Sequence, residues 1–333
     1  MAKIKLAVVG ESVYAARLTE CMRRKAPDYL EIVGCQDVAN LAEFMLEVQP
    51  DLLLYEQGVI VQEQIPKEIV HIQITTEQHT EQEVGQKRIF RYQKGSEILR
   101  QIFRIYEQSS KKKLVCRCST ADLEMIAFYA PGGHELLLPF SLSYASLCGK
   151  EQKALYVNLS EFSGMAPLFG EKPGNNLSDL VYGVRQKKEQ FLLCLQSVLH
   201  QTEYFDYVLP PENPQDLYEI REEDLACVLT QLQEQTEYQK IIWNCGSLNQ
   251  SAQQVMECCS KVFCIVKENA FGKYRKLELD AFLKKEKRQR LREKVKYLCP
   301  QIGSSGFVQG SSVLTQLQSG DFVRQVEELT QDT

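Results

Sequence analysis

Residues 124–137 read EMIAFYAPGGHELL and decide the fold of the larger part of the chain. The apolar run Glu124–Tyr129 has the length of a buried strand, and the turn 130–133 leads into a segment with helical character at 135–149. Strand–turn–helix units often hold phosphate, because loop amides and the helix N-terminus attract anions. A glycine pair after a strand is also typical of a plain turn, so the rest of the chain must decide between these interpretations.

Strand and helix patterns continue to alternate after this unit. Such alternation predicts a parallel sheet with helices on both faces. The predicted strands are 154–159, 207–209, 240–243 and 262–266, and the predicted helices are 175–200, 221–235 and one long helix at roughly 270–297.

The spacing of these segments resembles the MinD/ParA class of P-loop ATPases. The phosphate loop of that class centres on Lys-Gly-Gly-x-Gly-Lys-Thr, whose lysines and hydroxyl bind phosphate and magnesium. Here the pair Gly132 and Gly133 remains, whereas the lysine and hydroxyl positions hold other residues. The degenerate loop consists of Pro131, Gly132, Gly133, His134, Glu135, Leu136 and Leu137.

Two later motifs of the class also carry neutral substitutes. The family's Val-Asp-Leu-Asp corresponds to Val157–Ser160, where Asn158 and Ser160 replace both acids, and Asn244 replaces the aspartate that ends the Walker B strand. Since groups that bind the cation and the phosphate are missing, we expect no metal site, no catalytic residue and no enzymatic activity. The expected cofactor is none, apart from weak binding of ATP or ADP.

The first 105 residues form an earlier series of β/α units. The series resembles the receiver domain of response regulators, a flavodoxin-like parallel sheet. Strands are predicted at 4–9, 32–34, 51–55, 69–74 and 89–92, and helices at 13–25, 38–48 and 96–106.

The receiver motif is degenerate in this sequence. Glu11 stands alone where receivers hold a magnesium-binding pair of acids, and Glu56 ends the third strand in place of the phosphate-accepting aspartate. Thr75 or Thr76 has the place of the switch hydroxyl, and Arg91 lies near that of the fifth-strand lysine. We therefore predict an atypical receiver that serves as a docking or dimerisation surface. The alternative is that Glu56 is a strand-end acid without a role.

A receiver-like domain ahead of a MinD/ParA-like domain resembles the TadZ/CpaE group of tight-adherence (Flp-type) pilus assembly proteins, over roughly 1–285. The resemblance implies a non-catalytic scaffold or localisation factor that is cytoplasmic, or polar or membrane-peripheral through its partners. It implies a homodimer that contacts the pilus secretion ATPase or inner-membrane platform proteins. The alternative is a nucleotide-dependent MinD/ParA-like switch ATPase in septum siting or signalling.

These patterns predict an atypical receiver-like domain at 1–107, a linker at 108–122 and a degenerate MinD/ParA-like ATPase domain at 123–333. The net charge of −5 argues against a general nucleic-acid binder. The basic tract 284–296 is either a solvated helix face or a weak contact for DNA or anionic lipid. The segment 322–329 is too short and acidic for a membrane-targeting helix.

The 12 cysteines include no Cys-x-x-Cys pair, and four histidines accompany them. This spacing disfavours a zinc site. We expect reduced thiols that pack as small hydrophobic side chains.

Overall fold

The computed structural model describes residues 3–26, 29–59, 65–66, 69–77, 87–109, 123–186, 190–285, 288–300, 313–318 and 321–331. The chain divides into two compact units, Met1–Cys116 with Glu189–Ser197, and Arg117–Lys188 with Val198–Thr333. Most of the predicted linker, from residue 110 to 122, lies outside the described residues. The structure groups 189–197 with the first unit, although the sequence pattern placed this segment in the second domain.

The first unit is a parallel sheet in the order β2-β1-β3-β4-β5. This is the strand order of flavodoxin-like doubly wound folds. Its strands are β1 (Ile4–Val9), β2 (Leu30–Cys35), β3 (Leu52–Glu56), β4 (Val70–Thr75) and β5 (Arg88–Phe90). Its helices are α1 (Val13–Lys25), α2 (Leu41–Val48), which follows a 3-10 turn at Val38–Asn40, and α3 (Gly95–Ser109).

Helix α1 begins directly after the central strand β1. Ser12 caps it, because its hydroxyl accepts a hydrogen bond from the Ala15 amide at 3.1 Å. Ala15, Leu18 and Met22 recur on one helical face and are buried. The cap therefore lies at the edge of the sheet where the parallel strands end.

The second unit contains a seven-stranded sheet in the order β12-β11-β6-β10-β7-β9-β8. All neighbours are parallel except β8 and β9. The strands are β6 (Glu124–Tyr129), β7 (Ala154–Asn158), β8 (Leu199–Gln201), β9 (Phe205–Val208), β10 (Lys240–Cys245), β11 (Lys261–Ile265) and β12 (Val295–Leu298).

The helices after residue 123 belong to the second unit, except that α7 belongs mainly to the first. They are α4 (Leu137–Glu151), α5 (Met165–Phe169), α6 (Leu177–Gln186), α7 (Phe191–Val198), α8 (Asp216–Glu219), α9 (Glu222–Gln235), α10 (Gln250–Cys258), α11 (Ala270–Leu283), α12 (Gln289–Lys294), α13 (Val313–Gln318) and α14 (Asp321–Gln331).

Aromatic side chains dominate the core of the second unit. Phe128 on β6 lies 5.2 Å from Phe263 on β11 and 6.0 Å from Phe140 on α4, measured between ring centroids. Phe322 of the C-terminal helix α14 meets Phe140 edge-on at 6.3 Å, and Val326 is fully buried. The C-terminal segment is thus part of this core.

Two helix predictions were wrong. The long helix predicted at 270–297 ends at Leu283, and after the short helix α12 the chain forms the edge strand β12. There Val295 and Tyr297 alternate with lysines, a period of two that suits a strand. The helix predicted at 175–200 is two helices followed by β8, because His200 and its neighbours pair with β9.

The cysteines within the described residues are free thiols. Burial raises the pKa of Cys245 to about 12 and raises that of Cys259. Across the same part of the chain, no helix is long and apolar enough to cross a membrane.

Candidate functional site

A crevice of about 530 Å³ lies at the carboxyl ends of the central strands β6, β7 and β10 in the second unit. This edge is where open parallel sheets bind ligands. The turn after β6 forms one wall through Gly132–Glu135, and the segments after β7 and β10 form the others through Ser160–Ser163 and Gly246–Leu248. The crevice therefore gathers the predicted degenerate motifs at one place.

The turn after β6 needs its two glycines. Gly132 and Gly133 have φ angles of 71° and 78°, in the left-handed region that glycine adopts without strain. The Gly133 amide donates to the Ala130 carbonyl at 3.0 Å and closes the turn. The backbone is thus folded back between the strand and the helix.

His134 connects this turn to helix α4. Its Nδ1 accepts a hydrogen bond from the Leu136 amide at 3.0 Å, and its carbonyl accepts from the Leu137 amide at 3.0 Å. Burial lowers the pKa of His134, and an accepting Nδ1 requires the neutral ring. Two amides at the start of the helix are therefore already bonded within the loop.

Leu136 and Leu137 are core residues. They are 3% and 6% exposed, so the positions of the family's lysine and hydroxyl contribute apolar packing, and Leu137 also lines the crevice. Pro131 lies outside the crevice, beside Val266 and Gly272.

Two cationic side chains contact the turn after β6 on the side that faces away from the crevice. The Lys267 ammonium, just after β11, lies 2.8 Å from Glu135 Oε2 and lowers the pKa of that carboxyl. A Cβ atom on Gly132 would lie 2.7 Å from the Arg275 guanidinium on α11, so this side chain packs directly against the turn. Neither residue is among the site residues predicted from the sequence. Lys267 directly follows the strand predicted at 262–266, and this position was the available signal for a site residue. The carboxyl ends of parallel strands meet at one edge of the sheet.

Asn158 organises the turn after β7. Its Oδ1 accepts from the Ser160 amide at 2.8 Å, and its Nδ2 donates to Ser163 Oγ at 2.9 Å. Gly246 approaches so closely that any Cβ on it would overlap Ser160. Asn158 therefore holds the turn against the end of β10, and Ser160 lines the crevice.

Asn244 is the most unusual predicted residue of the site. It is 1% exposed and lines the crevice. It lies near the Tyr156 hydroxyl, where it offsets part of the rise in pKa that burial causes. Apart from this contact with Tyr156, neither of its amide atoms has a hydrogen-bond partner among the described residues. An unsatisfied buried amide is costly, and a polar ligand in the crevice could satisfy it.

The rim of the crevice carries an acid and a strained aromatic residue that the sequence did not reveal. Glu161 accepts hydrogen bonds from the Tyr218 hydroxyl and, at 3.0 Å, from Ser247 Oγ. Phe162 has a φ angle of 45° and is 87% exposed. A bulky residue in the left-handed region is a genuine outlier that costs on the order of 1–2 kcal/mol.

In the first unit, Glu56 lies beside the cap of α1. Its Oε1 accepts from Ser12 Oγ at 2.5 Å, and the Ser12 amide lies 3.4 Å from Oε2. A Cβ on Gly10 would overlap the Glu56 carboxylate, so this glycine leaves room for it. The acid at the strand end is thus held by a helix N-terminus, the position that favours negative charge.

The remaining predicted receiver residues lie around the same edge. Thr75 is buried, and its Oγ1 accepts from the Glu77 amide at 3.1 Å and donates to Gln57 at 3.3 Å. The Arg91 guanidinium lies 4.1 Å from the Tyr14 ring centroid. Glu11 is exposed, and Thr76 is exposed at the end of β4. The described residues contain no group of three or more His, Cys, Asp and Glu that could hold a metal.

No family model matches the chain, and no curated protein matches it. Among solved structures, a ParA family ATPase from Chlorobium tepidum has 14% identity and a TM-score of 0.47, over 63% of this chain and 97% of that chain. The septum site-determining protein MinD from Pyrococcus horikoshii, complexed with Mg-ADP, has 12% identity and a TM-score of 0.46, over 62% and 95%. Apo McdA from Cyanothece has 10% identity and a TM-score of 0.43, over 63% and 82%.

The chain is thus similar over part of its length to ParA and MinD proteins, and its own architecture is α/β with two mainly parallel sheets. The expectation that the protein is not an enzyme was wrong by these comparisons, because the Chlorobium tepidum neighbour and a cell division MinD from Pyrococcus furiosus are named as ATPases. That expectation rested only on the cation-binding and phosphate-binding side chains that the sequence lacks. The backbone of the loop, the crevice and its polar lining are nevertheless present.

Proposed function

We propose that this protein is a nucleotide-binding positioning factor of the ParA/MinD type. Asn244 carries the proposal, because it is a buried amide that lines a crevice beside a glycine turn and that, apart from its contact with the Tyr156 hydroxyl, has no partner among the described residues. The neutral lining from Ser160, Ser163 and Ser247 offers further hydrogen bonds to a polar ligand. With no lysine in the loop, we expect weak affinity for ATP and ADP, with a Kd of about 0.1–1 mM.

We propose that the protein positions a Tad (Flp-type) pilus assembly apparatus, as the resemblance to the TadZ/CpaE group implies. In this proposal the protein is a homodimer in the cell interior that contacts the secretion ATPase or the inner-membrane platform. The first unit acts as an atypical receiver that docks or dimerises without normal phosphorylation. Its strand order and the bond between Ser12 and Glu56 support this part of the proposal.

Isothermal titration with ATP and ADP tests nucleotide binding, and a phosphate-release assay measures turnover. Gly132→Ala adds a Cβ that collides with Arg275 at a φ angle of 71°, so it should weaken binding about tenfold or more. Gly174→Ala is the matched control, because its Cβ would make only an ordinary van der Waals contact, 3.8 Å from the Lys172 carbonyl oxygen, and its φ is outside the left-handed region. Absence of binding by the wild-type chain at millimolar nucleotide would refute the proposal.

Incubation with acetyl phosphate and Mg²⁺, followed by intact-mass analysis, tests the receiver part. We expect no phosphoryl adduct, since Glu56 is already engaged by Ser12. Stoichiometric labelling of Glu56 or Asp51 would show a working receiver. Pull-down of the purified secretion ATPase by the tagged chain then tests the pilus assignment.

A further inference from the structure

Positive charge is concentrated in one segment of this acidic chain. Residues 267–296 carry 12 Lys and Arg against five Asp and Glu, although the whole chain has 39 against 44. The rest of the protein is therefore much more acidic than its net charge of −5 suggests. Helices α11 and α12, which pack against each other, contain most of the segment.

Helix α11 also presents large apolar side chains to solvent. Phe271, Tyr274 and Leu277 are 74%, 63% and 63% exposed. Their spacing of three residues places them on one side of the helix, and the rings of Phe271 and Tyr274 contact edge-on at 6.5 Å. The opposite side packs inward through Gly272, Leu279 and Leu283.

Exposed cations flank this apolar side. In the sequence Lys273 stands between Phe271 and Tyr274, and Lys284 and Lys285 follow the end of the helix. Arg290 and Arg292 on α12 are exposed as well. Of the acids on α11, Glu278 is exposed, whereas Asp280 accepts a hydrogen bond from the Tyr297 hydroxyl at 2.7 Å. We call the surface of Phe271, Lys273, Tyr274, Leu277, Lys284 and Lys285 the basic aromatic face.

We propose that the basic aromatic face binds the surface of an anionic lipid bilayer. Aromatic and leucine side chains enter the boundary between headgroups and acyl chains, while lysines around them attract acidic headgroups. A nucleic-acid backbone would use the lysines and leave the apolar side in water. A lipid surface uses both features, so it fits the observed pattern better.

This proposal goes beyond nucleotide binding and does not depend on it. The described residues contain no helix that could span a bilayer, so the contact is peripheral. Each lysine near an anionic surface contributes about 5-fold to affinity, and the apolar side chains add to this. Binding should therefore weaken as salt concentration rises.

Co-sedimentation of the full chain with vesicles tests the proposal. We expect binding to phosphatidylcholine vesicles that contain phosphatidylglycerol and no binding to phosphatidylcholine alone. F271S/Y274S should reduce binding about tenfold, and K284Q/K285Q should reduce it about 20-fold and flatten its salt dependence. The control is L46S/Y92S, which removes side chains that are 78% and 67% exposed in the first unit and should not change binding.

Four results would overturn the proposal, and the fourth is a test with DNA. The first is no sedimentation of the wild-type chain with anionic vesicles, and the second is equal binding to both vesicle types. The third is loss of self-association in F271S/Y274S, measured by light scattering, without loss of vesicle binding, which would assign this face to a second copy of the chain. Salt dependence of wild-type binding supplies a test that requires no variant. A competing DNA duplex that binds equally well to F271S/Y274S and releases the wild type from vesicles would assign the face to nucleic acid.

Discussion

Each sheet carries a glutamate at the edge where its strands end, but the two are held differently. Glu56 is half-buried and bonds to the cap of α1 through Ser12, whereas the Glu135 side chain is 67% exposed and pairs with Lys267 across a loop. A helix N-terminus and a half-buried hydroxyl fix the first acid within the fold. The second acid is held by one solvent-exposed ion pair, which is weak in water. The first is thus structural, and the second is available for exchange with a ligand.

Gly10→Ala should give the largest effect, because it places a methyl group in the space that the Glu56 carboxylate occupies. The new Cβ would overlap the Glu56 carboxylate and lie 2.8 Å from the Ala15 Cβ. We expect a loss of about 2–3 kcal/mol in the free energy of unfolding, measured by urea denaturation. The same change in a Glu56→Ala background should cost less, because one of the two obstructing groups is gone. Equal costs in both backgrounds would show that Glu56 does not fill this space.

Ser12→Ala removes both the cap of α1 and the partner of Glu56. We expect a loss of about 1–2 kcal/mol in the free energy of unfolding. Ser12→Thr retains the hydroxyl and should recover most of it. If alanine and threonine destabilise the protein equally, the hydroxyl does not hold the carboxylate.

Glu135→Gln should leave stability within about 0.5 kcal/mol of the wild type, because the ion pair is exposed. It should raise the affinity for ADP about 5-fold, since it removes a negative charge beside the turn where phosphate would bind. Fluorescence titration with a labelled ADP measures this.

The control for that variant is Glu237→Gln. Glu237 pairs with Lys153 at 3.3 Å in another solvent-exposed ion pair, at the opposite edge of the same sheet. Its removal should not change nucleotide affinity. Unchanged affinity in Glu135→Gln, with normal binding by the wild type, would place the phosphates away from Glu135.

The sequence predicted the elements around both glutamates well, because apolar runs and caps are local signals. Strand β6 and helix α1 have the predicted limits of 124–129 and 13–25. The partners of the glutamates could not be predicted, since they depend on contacts between distant segments. Ser12 and Glu56 are 44 residues apart, and Lys267 and Glu135 are 132 apart. Strand β12 was missed for a related reason: its charged sequence becomes a strand only beside β11.

The smallest effect concerns His134, the residue before Glu135. Burial lowers its pKa in the folded chain below the unfolded value, so protons bind more tightly to the unfolded state. Stability is therefore complete above the unfolded pKa, near 6.5, and falls as the pH drops below it. His134→Asn removes the titration, while its short amide side chain can still accept from the Leu136 amide. We expect the Tm of the two proteins to agree at pH 8 and to differ by on the order of 1 °C at pH 5, with the wild type lower. A constant difference at both pH values would show that His134 does not titrate in this range, and its bond to Leu136 would then be intact in acid as well.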